Sequence, residues 1–426
     1  MFIQNIEKYS IFCKIIYLKI TKNNKYCILK AIKIRLYPTE TQQITINKLL
    51  GCCRLVYNCC LDHRNKVYEE TKESGSLSKS YSYFCELKEM EQYSFLKTDS
   101  HSKVIQQSLR DQDTAFKNFF SKKSKFPKFK SKKDNKQSCR FPKDAISGIK
   151  GNRINIIKSL KDIHFKCSRK DESYLNKNQG LIMSATLTKT CSGKYYLSIL
   201  IDKPHEVRFN KTNNIVGIDL GIKDLIITSN GVKFKNKQFY RKQENKLKKL
   251  NRKFAKTQIS SNNHQKIRVK IAKLNEKIRN QRLWYIHHIV NQLLNENQVI
   301  VMEDLNVSGM MQNHKLAKSI QDVSFCELKQ ILQYKASWND KQVVFIDRFY
   351  PSSKLCSDCG YKNDLLQLSD REWICPECGV VHDRDINAAK NILEEGKRII
   401  GLSSPEFKRV GEQTMASSMN LEQNVI

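Results

Sequence analysis

The stretch IVGIDLGIKDLIITSNG, residues 215–231, decides how the chain is read. It holds two short apolar runs around a glycine-bearing turn, the pattern of neighbouring strands buried on both faces. Two later runs, VIVMEDLN (299–306) and VVFID (343–347), have the same character and are separated by helical material around Ile331. Together they predict an α/β domain. Asp219 closes the first run and Glu303 the third, and a carboxylate in such a place costs several kcal/mol unless it is paired or bound to metal. Alone, each is more often a cap or an ion-pair partner. A third acid, Asp385, stands directly ahead of the helix INAAKNIL, and the trio changes the reading. Three acids meeting at strand and helix ends hold two divalent ions ~4 Å apart, which activate a water and stabilise the leaving oxygen of a phosphodiester. Hard oxygen ligands suit magnesium or manganese. Asp304 is expected on the opposite strand face in a structural role. Asp383 is expected to cap the helix or to support Asp385.

Just before that last acid lie two CxxC pairs, CSDCG and CPECG, which place Cys356, Cys359, Cys375 and Cys378 with 15 residues between the pairs. The spacing is that of a zinc ribbon, in which Gly360 and Gly379 let the backbone bend around a structural zinc. A closed four-sulfur site leaves no position for water, so its expected role is in folding. His382 is expected at the surface and not among the ligands.

The 76 Lys and Arg against 42 Asp and Glu give the 426-residue chain a formal charge of +34. A polyanionic partner, nucleic acid first, is the expected counterweight. Fifteen cysteines, an odd number scattered through apolar runs such as GCCRLVYNCCL, do not form a secreted disulfide framework and fit a reducing compartment. No run reaches the ~18 apolar residues of a membrane span. A soluble, cytoplasmic and nucleoid-associated protein without membrane contact is expected.

Further towards the N-terminus, AIKIRLYP (31–38) alternates as a strand, and Thr39 with Gln42 offers a capping box to a helix carrying Ile46, Leu49, Leu50, Cys53, Val56 and Tyr57. Ile105, Leu109, Phe116 and Phe120 mark a second helix. Residues 122–136 carry eight lysines against one aspartate, interleaved with Phe126, Pro127 and Phe129. Lys122, Lys123, Lys125, Phe126, Lys128, Phe129 and Lys130 are candidate nucleic-acid contacts, the rings being available to stack on bases. SATLTKT and YYLSILI flank the turn CSGK as a hairpin. Residues 233–282 carry 18 basic and 2 acidic residues, with Ile267, Ile271, Leu274 and Ile278 striping a helical hairpin broken at SSNN.

Nine pieces, in order, carry a resemblance to the TnpB family of insertion-sequence proteins, long called transposases and known as RNA-guided DNA nucleases ancestral to type V CRISPR effectors. They are KIRLYPT, CCRLVYN, FPKFKSK, SGKYYLSIL, VGIDLGIKDL, VIVMEDLNVSGM, FYPSSKLCSDCG, LSDREWICPECG and HDRDINAAKNI. The resemblance implies a RuvC-like, ribonuclease H-related nuclease domain (211–350 and 380–402) with an inserted zinc ribbon (351–379). It implies a β-barrel wedge domain (30–38 and 126–210) with a helical recognition insertion (39–125). The catalytic acids map onto Asp219, Glu303 and Asp385, the last chosen because it lies two places before Asn387. The implied partners are a guide RNA from the element and a double-stranded DNA target with a short adjacent motif, bound by a monomer. Residues 1–29 have no counterpart and 403–426 are expected to be disordered. The competing readings are a transposase acting without RNA and a nuclease-inactive RNA-guided DNA-binding regulator.

Overall fold

The computed structural model describes residues 19–20, 26–134, 136–204, 207–367 and 369–402. Most of the expected N-terminal extension and the whole expected tail from residue 403 fall outside them. The chain forms two compact units, Met1–His205 and Glu206–Ile426.

In the first unit, strand β1 (Tyr26–Tyr37) starts earlier than the expected boundary at residue 30 and runs into helix α1 (Glu40–Thr71). The capping box forms as read. Thr39 Oγ1 accepts from the Gln42 amide at 3.4 Å, and the Thr39 amide donates to Gln42 Oε1 at 2.9 Å, so two orphan donors of the helix start are satisfied. Ile46, Leu49, Leu50, Cys53, Val56 and Tyr57 are all buried. Helices α2 (Leu77–Glu89) and α3 (Ser102–Phe120) follow. Ile105, Leu109 and Phe116 are buried, whereas Phe120, in the last turn, is 64% exposed and lies against the Phe116 and Phe119 rings.

Strands β2 (Lys136–Pro142), β3 (Gly148–Lys150), β4 (Arg153–Asn155), β5 (Ile163–Lys166), β6 (Ile182–Thr190) and β7 (Tyr195–Pro204) complete the sheet. Its order is β2-β6-β7-β1-β5-β4-β3, with Lys19–Ile20 as an eighth strand against β1. Every pairing is antiparallel. The β6–β7 hairpin turns at CSGK through Gly193, whose φ of 82° an L side chain adopts only with strain. Period-two residues from across the sheet, Ile34, Phe141, Ile154, Phe165, Leu187 and Ile199 among them, enter one core that also takes Ile46 and Leu49 of α1 and Ile105 of α3. Among the described residues no ladder joins β2 to β3, so a shared core, not a closing ladder, gathers the strands.

The second unit is built on β8 (Ile215–Asp219), β9 (Asp224–Thr228), β10 (Lys233–Lys235), β11 (Val299–Glu303) and β12 (Gln342–Ile346). The order is β10-β9-β8-β11-β12, with β8, β9 and β10 antiparallel and β8, β11 and β12 parallel. This is the ribonuclease H arrangement. Helices α4 (Phe239–Ala255) and α5 (Asn262–Glu296) form the expected basic hairpin, and Ser261 caps α5 by accepting from the His264 amide. Leu247, Leu274 and Ile278 seal the hairpin. The C-terminal half of α5 sends Ile286, Ile289, Val290 and Leu293 under the sheet to meet Val216, Ile218, Ile300 and Met302, together with α6 (His314–Val323) and α7 (Phe325–Ser337).

The alternate residues Val299 and Val301 face the other way, towards Ile392 of the last helix, α8 (Arg384–Ile399). Two glycines let α8 lie close. A Cβ on Gly217 of β8 would stand 2.2 Å from the Ala389 carbonyl oxygen and 2.6 Å from the Leu393 nitrogen, and one on Gly396 would stand 2.3 Å from Val301 Cγ1. The Gly217 neighbours are backbone and cannot rotate away, so Gly217→Ala is expected to cost ~3 kcal/mol, the upper part of the overpacking range. Urea denaturation of the full chain, compared with Gly51→Ala where a Cβ meets nothing within 4 Å, measures this.

Candidate active site

The geometry of the sheet gathers the acids. Parallel pairing of Ile218 with Met302 puts Asp219 and Glu303, each one residue on, at the same edge of the sheet, outside the carboxyl ends of adjacent strands. Asp385, the second residue of α8, comes to that edge because the helix packs its Ala389 and Leu393 backbone on Gly217. Burial first, then the charges of Glu303 and Asp385, push the Asp219 carboxyl up to about 7. Burial also raises Glu303, opposed by the Ser352 hydroxyl, which donates to Glu303 Oε1 at 2.6 Å. A buried carboxyl raised by burial and by two neighbouring acids at a sheet edge is the usual signature of a cation site.

Asp383 and Asp385 differ in what their oxygens hold. Asp383 Oδ1 accepts from the Asp385 and Ile386 amides, both at 3.1 Å, and Asp383 Oδ2 accepts from Lys233 Nζ at 2.5 Å. Burial pushes the Asp383 carboxyl up, but Lys233 and the helix amides outweigh it and hold it below its ordinary value. Its oxygens are therefore committed, and Asp385 is left to face the other acids. Arg371 Nη1 lies 3.5 Å from both oxygens of Asp385, a contact that no sequence pattern announced. Asp304 behaves as expected and pairs with Lys329 and Arg348.

The four cysteine sulfurs lie within 4.8 Å of one another. Cys356 Sγ is 3.7 Å from Cys378 Sγ, and Cys359 Sγ is 3.5 Å from Cys375 Sγ. Thiolates bound at ~2.3 Å around a tetrahedral ion are ~3.8 Å apart, so the spacing fits. The two knuckles repeat one set of bonds. Gly360 N donates to Cys356 O and Cys356 N to Tyr361 O, as Gly379 N does to Cys375 O and Cys375 N to Val380 O. Gly360 and Gly379 have φ of 79° and 72°, as the tight turns demand.

His382 corrects the reading. It is only 4% exposed, because pairing of β13 (Glu372–Ile374) with β14 (Val381–Asp383) sets it opposite Trp373. Its Nε2 is 3.0 Å from Cys356 Sγ. The imidazole packs against Cys356, and Cys356, Asp358 and His382 form a second cluster that overlaps the four-cysteine one. The ribbon hairpin also extends beyond the expected end at 379, since its last residue, Asp383, is the cap of α8.

In the first unit, Lys122, Lys123, Lys125 and Lys128 are exposed, and Phe129 is 55% exposed. Phe126 has its edge against Phe116 and Phe119, at centroid distances of 5.6 and 5.2 Å. Lys130 is docked: Asn58 bonds its amide and carbonyl, and its ammonium lies 3.8 Å from the Tyr57 ring centroid.

Comparison with known proteins identifies relatives along most of the chain. A Streptomyces pristinaespiralis protein named as an RNA-guided DNA endonuclease is 35% identical over 86% of this chain and 89% of its own length. The chain belongs to the TnpB family. Escherichia coli InsQ, also named as an RNA-guided DNA endonuclease, is 30% identical over 87% of this chain and 93% of its own. Models for a "Probable transposase" (OrfB of IS605 type), a "Cas12f1-like, TNB domain" and a "Helix-turn-helix domain" match residues 198–314, 325–392 and 28–73. In this TnpB-family chain the last of these regions is one strand followed by a single 32-residue helix. The fold is also that of a Cas12f1 bound to guide RNA and target DNA, with a TM-score of 0.52 at 15% identity, covering 86% of this chain and 98% of that one.

The raised Asp219 carboxyl fixes the sign of a pH effect. The folded chain keeps its proton up to about 7, whereas the unfolded chain releases it near 3.8, so the stabilisation is complete below 3.8 and is lost as pH rises to about 7. In a chelator, the thermal midpoint is expected to fall between pH 5 and pH 7.5 more steeply than in Asp219→Asn, and added magnesium or manganese is expected to recover the loss at the higher pH. Differential scanning fluorimetry of both proteins across that range reads it.

Proposed function

We propose that this chain is an RNA-guided DNA endonuclease of a transposable element, cutting DNA by metal-dependent phosphodiester hydrolysis. The observation that carries the reading is the meeting of Asp219, Glu303 and Asp385 at one sheet edge, where burial and mutual repulsion raise Asp219. The three acids would hold magnesium or manganese. Bound there, the ions supply an activated water and charge stabilisation at the leaving oxygen. Asp219 must give up its proton to serve as a ligand, so binding is weakened below pH about 7. Arg371, 3.5 Å from Asp385, offsets the acidic cluster before the ions arrive and is placed to meet a phosphate afterwards. Asp383, tied to Lys233 and to two helix amides, keeps the Asp385 end of α8 in place. Cys356, Cys359, Cys375 and Cys378 would hold zinc in a closed structural site.

The partners follow from the relatives' names and from the charge of +34. A guide RNA pairs with one DNA strand, and the protein holds the heteroduplex by its phosphates and shape. Lys122, Lys123, Lys125, Lys128 and Phe129, and the basic α4–α5 hairpin, are the surfaces offered to nucleic acid. Lys130 contributes through its packing on Tyr57.

The test is a plasmid-cleavage assay with the protein purified on its co-expressed RNA. Asp219→Ala, Glu303→Ala and Asp385→Ala are each expected to lower cleavage by about 10³-fold or more, consistent with loss of a several-kcal/mol metal contribution, while RNA and DNA binding persist. Cleavage in the absence of RNA would favour a transposase, and guide-directed binding without cleavage would favour a regulator. Separately, Cys378→Ala is expected to release zinc and to lower the thermal midpoint, measured by metal analysis and calorimetry.

A further inference from the structure

The ribbon and the carboxylates are joined by bonds that the proposed chemistry leaves unused. Two asparagines on the buried side of α8, Asn387 and Asn391, are each 1% exposed. Neither points at the acids. Asn387 Oδ1 accepts from the Ser357 amide at 2.9 Å, inside the first cysteine knuckle, and its Nδ2 donates to Leu355 O at 2.6 Å. Asn391 Nδ2 donates to Leu355 O at 2.7 Å and to Ser352 O at 2.8 Å. The segment they grip, residues 352–357, begins with Ser352, whose hydroxyl holds Glu303, and ends beside the metal ligand Cys356. On the far side of the cluster, His382 Nε2 reaches Cys356 Sγ and is followed directly by the cap Asp383.

We propose that Ser352, Asn387 and Asn391 are positioning residues that couple occupancy of the four-cysteine site to the geometry of the carboxylate site. The inference rests on the reading of Asp219, Glu303 and Asp385 as a divalent-cation site. A metal in the knuckles fixes residues 355–357. That segment fixes the rotation of α8, and with it Asp385, through the two asparagine side chains, while its Ser352 end fixes the Glu303 carboxylate. Buried amides of this kind have no alternative partner, so a displaced knuckle leaves them unsatisfied and moves the helix with it. Coupling of this sort is reciprocal: zinc tightens the binding of the second cation, and the second cation retains zinc.

The test uses the full chain with its bound RNA and reads manganese affinity by the loss of the free-ion electron paramagnetic resonance signal, with zinc content measured in parallel. Ser352→Ala is expected to weaken manganese binding about 10-fold, the scale of losing a bond that orients a ligand, with zinc content unchanged. Ser352→Thr, which keeps the hydroxyl, is expected to retain the affinity of the unmodified protein. Asn387→Ala is expected to lose zinc and manganese affinity together. Zinc-stripped protein is expected to bind manganese at least 10-fold more weakly and to recover when zinc is restored. Unchanged manganese affinity in Ser352→Ala, or in stripped protein, overturns the coupling. Manganese binding that survives Asp219→Ala in zinc-loaded protein with Ser352, Asn387 and Asn391 intact instead overturns the carboxylate reading, and the inference falls with it.

Discussion

Keeping three carboxylates together at the end of an apolar sheet is the constraint around which the second unit is arranged. Burial, and after it the charges of Glu303 and Asp385, push the Asp219 carboxyl up to about 7. Single contacts oppose it: the Leu220 backbone and Arg384 act on Asp219, the Ser352 hydroxyl bonds Glu303, and Arg371 lies against Asp385. The surrounding framework must then be stiff enough to refuse the easier arrangement in which the acids swing apart. Helix α8 supplies that stiffness by lying on β8 with only glycine between the two backbones.

The same constraint explains why the ribbon enters the chain where it does. Its hairpin leads into Asp383, which is both the last residue of β14 and the cap of α8. The cap anchors the helix start electrostatically, through its two amides and Lys233, and the buried asparagines anchor the helix face through hydrogen bonds to residues 352–357. The four-cysteine cluster and the carboxylate edge therefore share one wall, residues 352–357 and the start of α8.

Much of this was legible in the sequence where one residue answers one local question. Thr39 and Gln42 announced a capping box, the alternation in YYLSILI a strand, and the four-cysteine spacing a metal-sized cluster, because each depends on neighbours a few residues away. The acids were legible for a different reason: an ionisable group in an apolar run is costly enough that only a few explanations survive. What stayed hidden depends on distant pairing. His382 looked like a surface residue until the ribbon hairpin set it beside Trp373 and Cys356. Ser352, Asn387 and Asn391 looked like ordinary polar residues, since nothing local shows that their partners come from 30 or more residues away, as |i−j| of 49 for Ser352 with Glu303 and 32 for Asn387 with Leu355 attest. Lys130 read as one more exposed lysine because the Tyr57 ring that covers it lies far back in the chain, on α1.

The way the ribbon is rooted also sets where the chain is free to vary in length. One root, residues 352–357, is clasped by asparagines, and the other, Asp383, is spent on the helix cap. Between the knuckles, Leu365 is 90% exposed and its amide bonds locally, to Asn363. Insertions or deletions there would change the size of the ribbon without shifting either root, whereas a single residue added between Val381 and Asp385 would rotate the helix start by about 100°, one residue's share of a 3.6-residue turn. Divergence in this fold should therefore collect at the ribbon's tip and stop abruptly at its base.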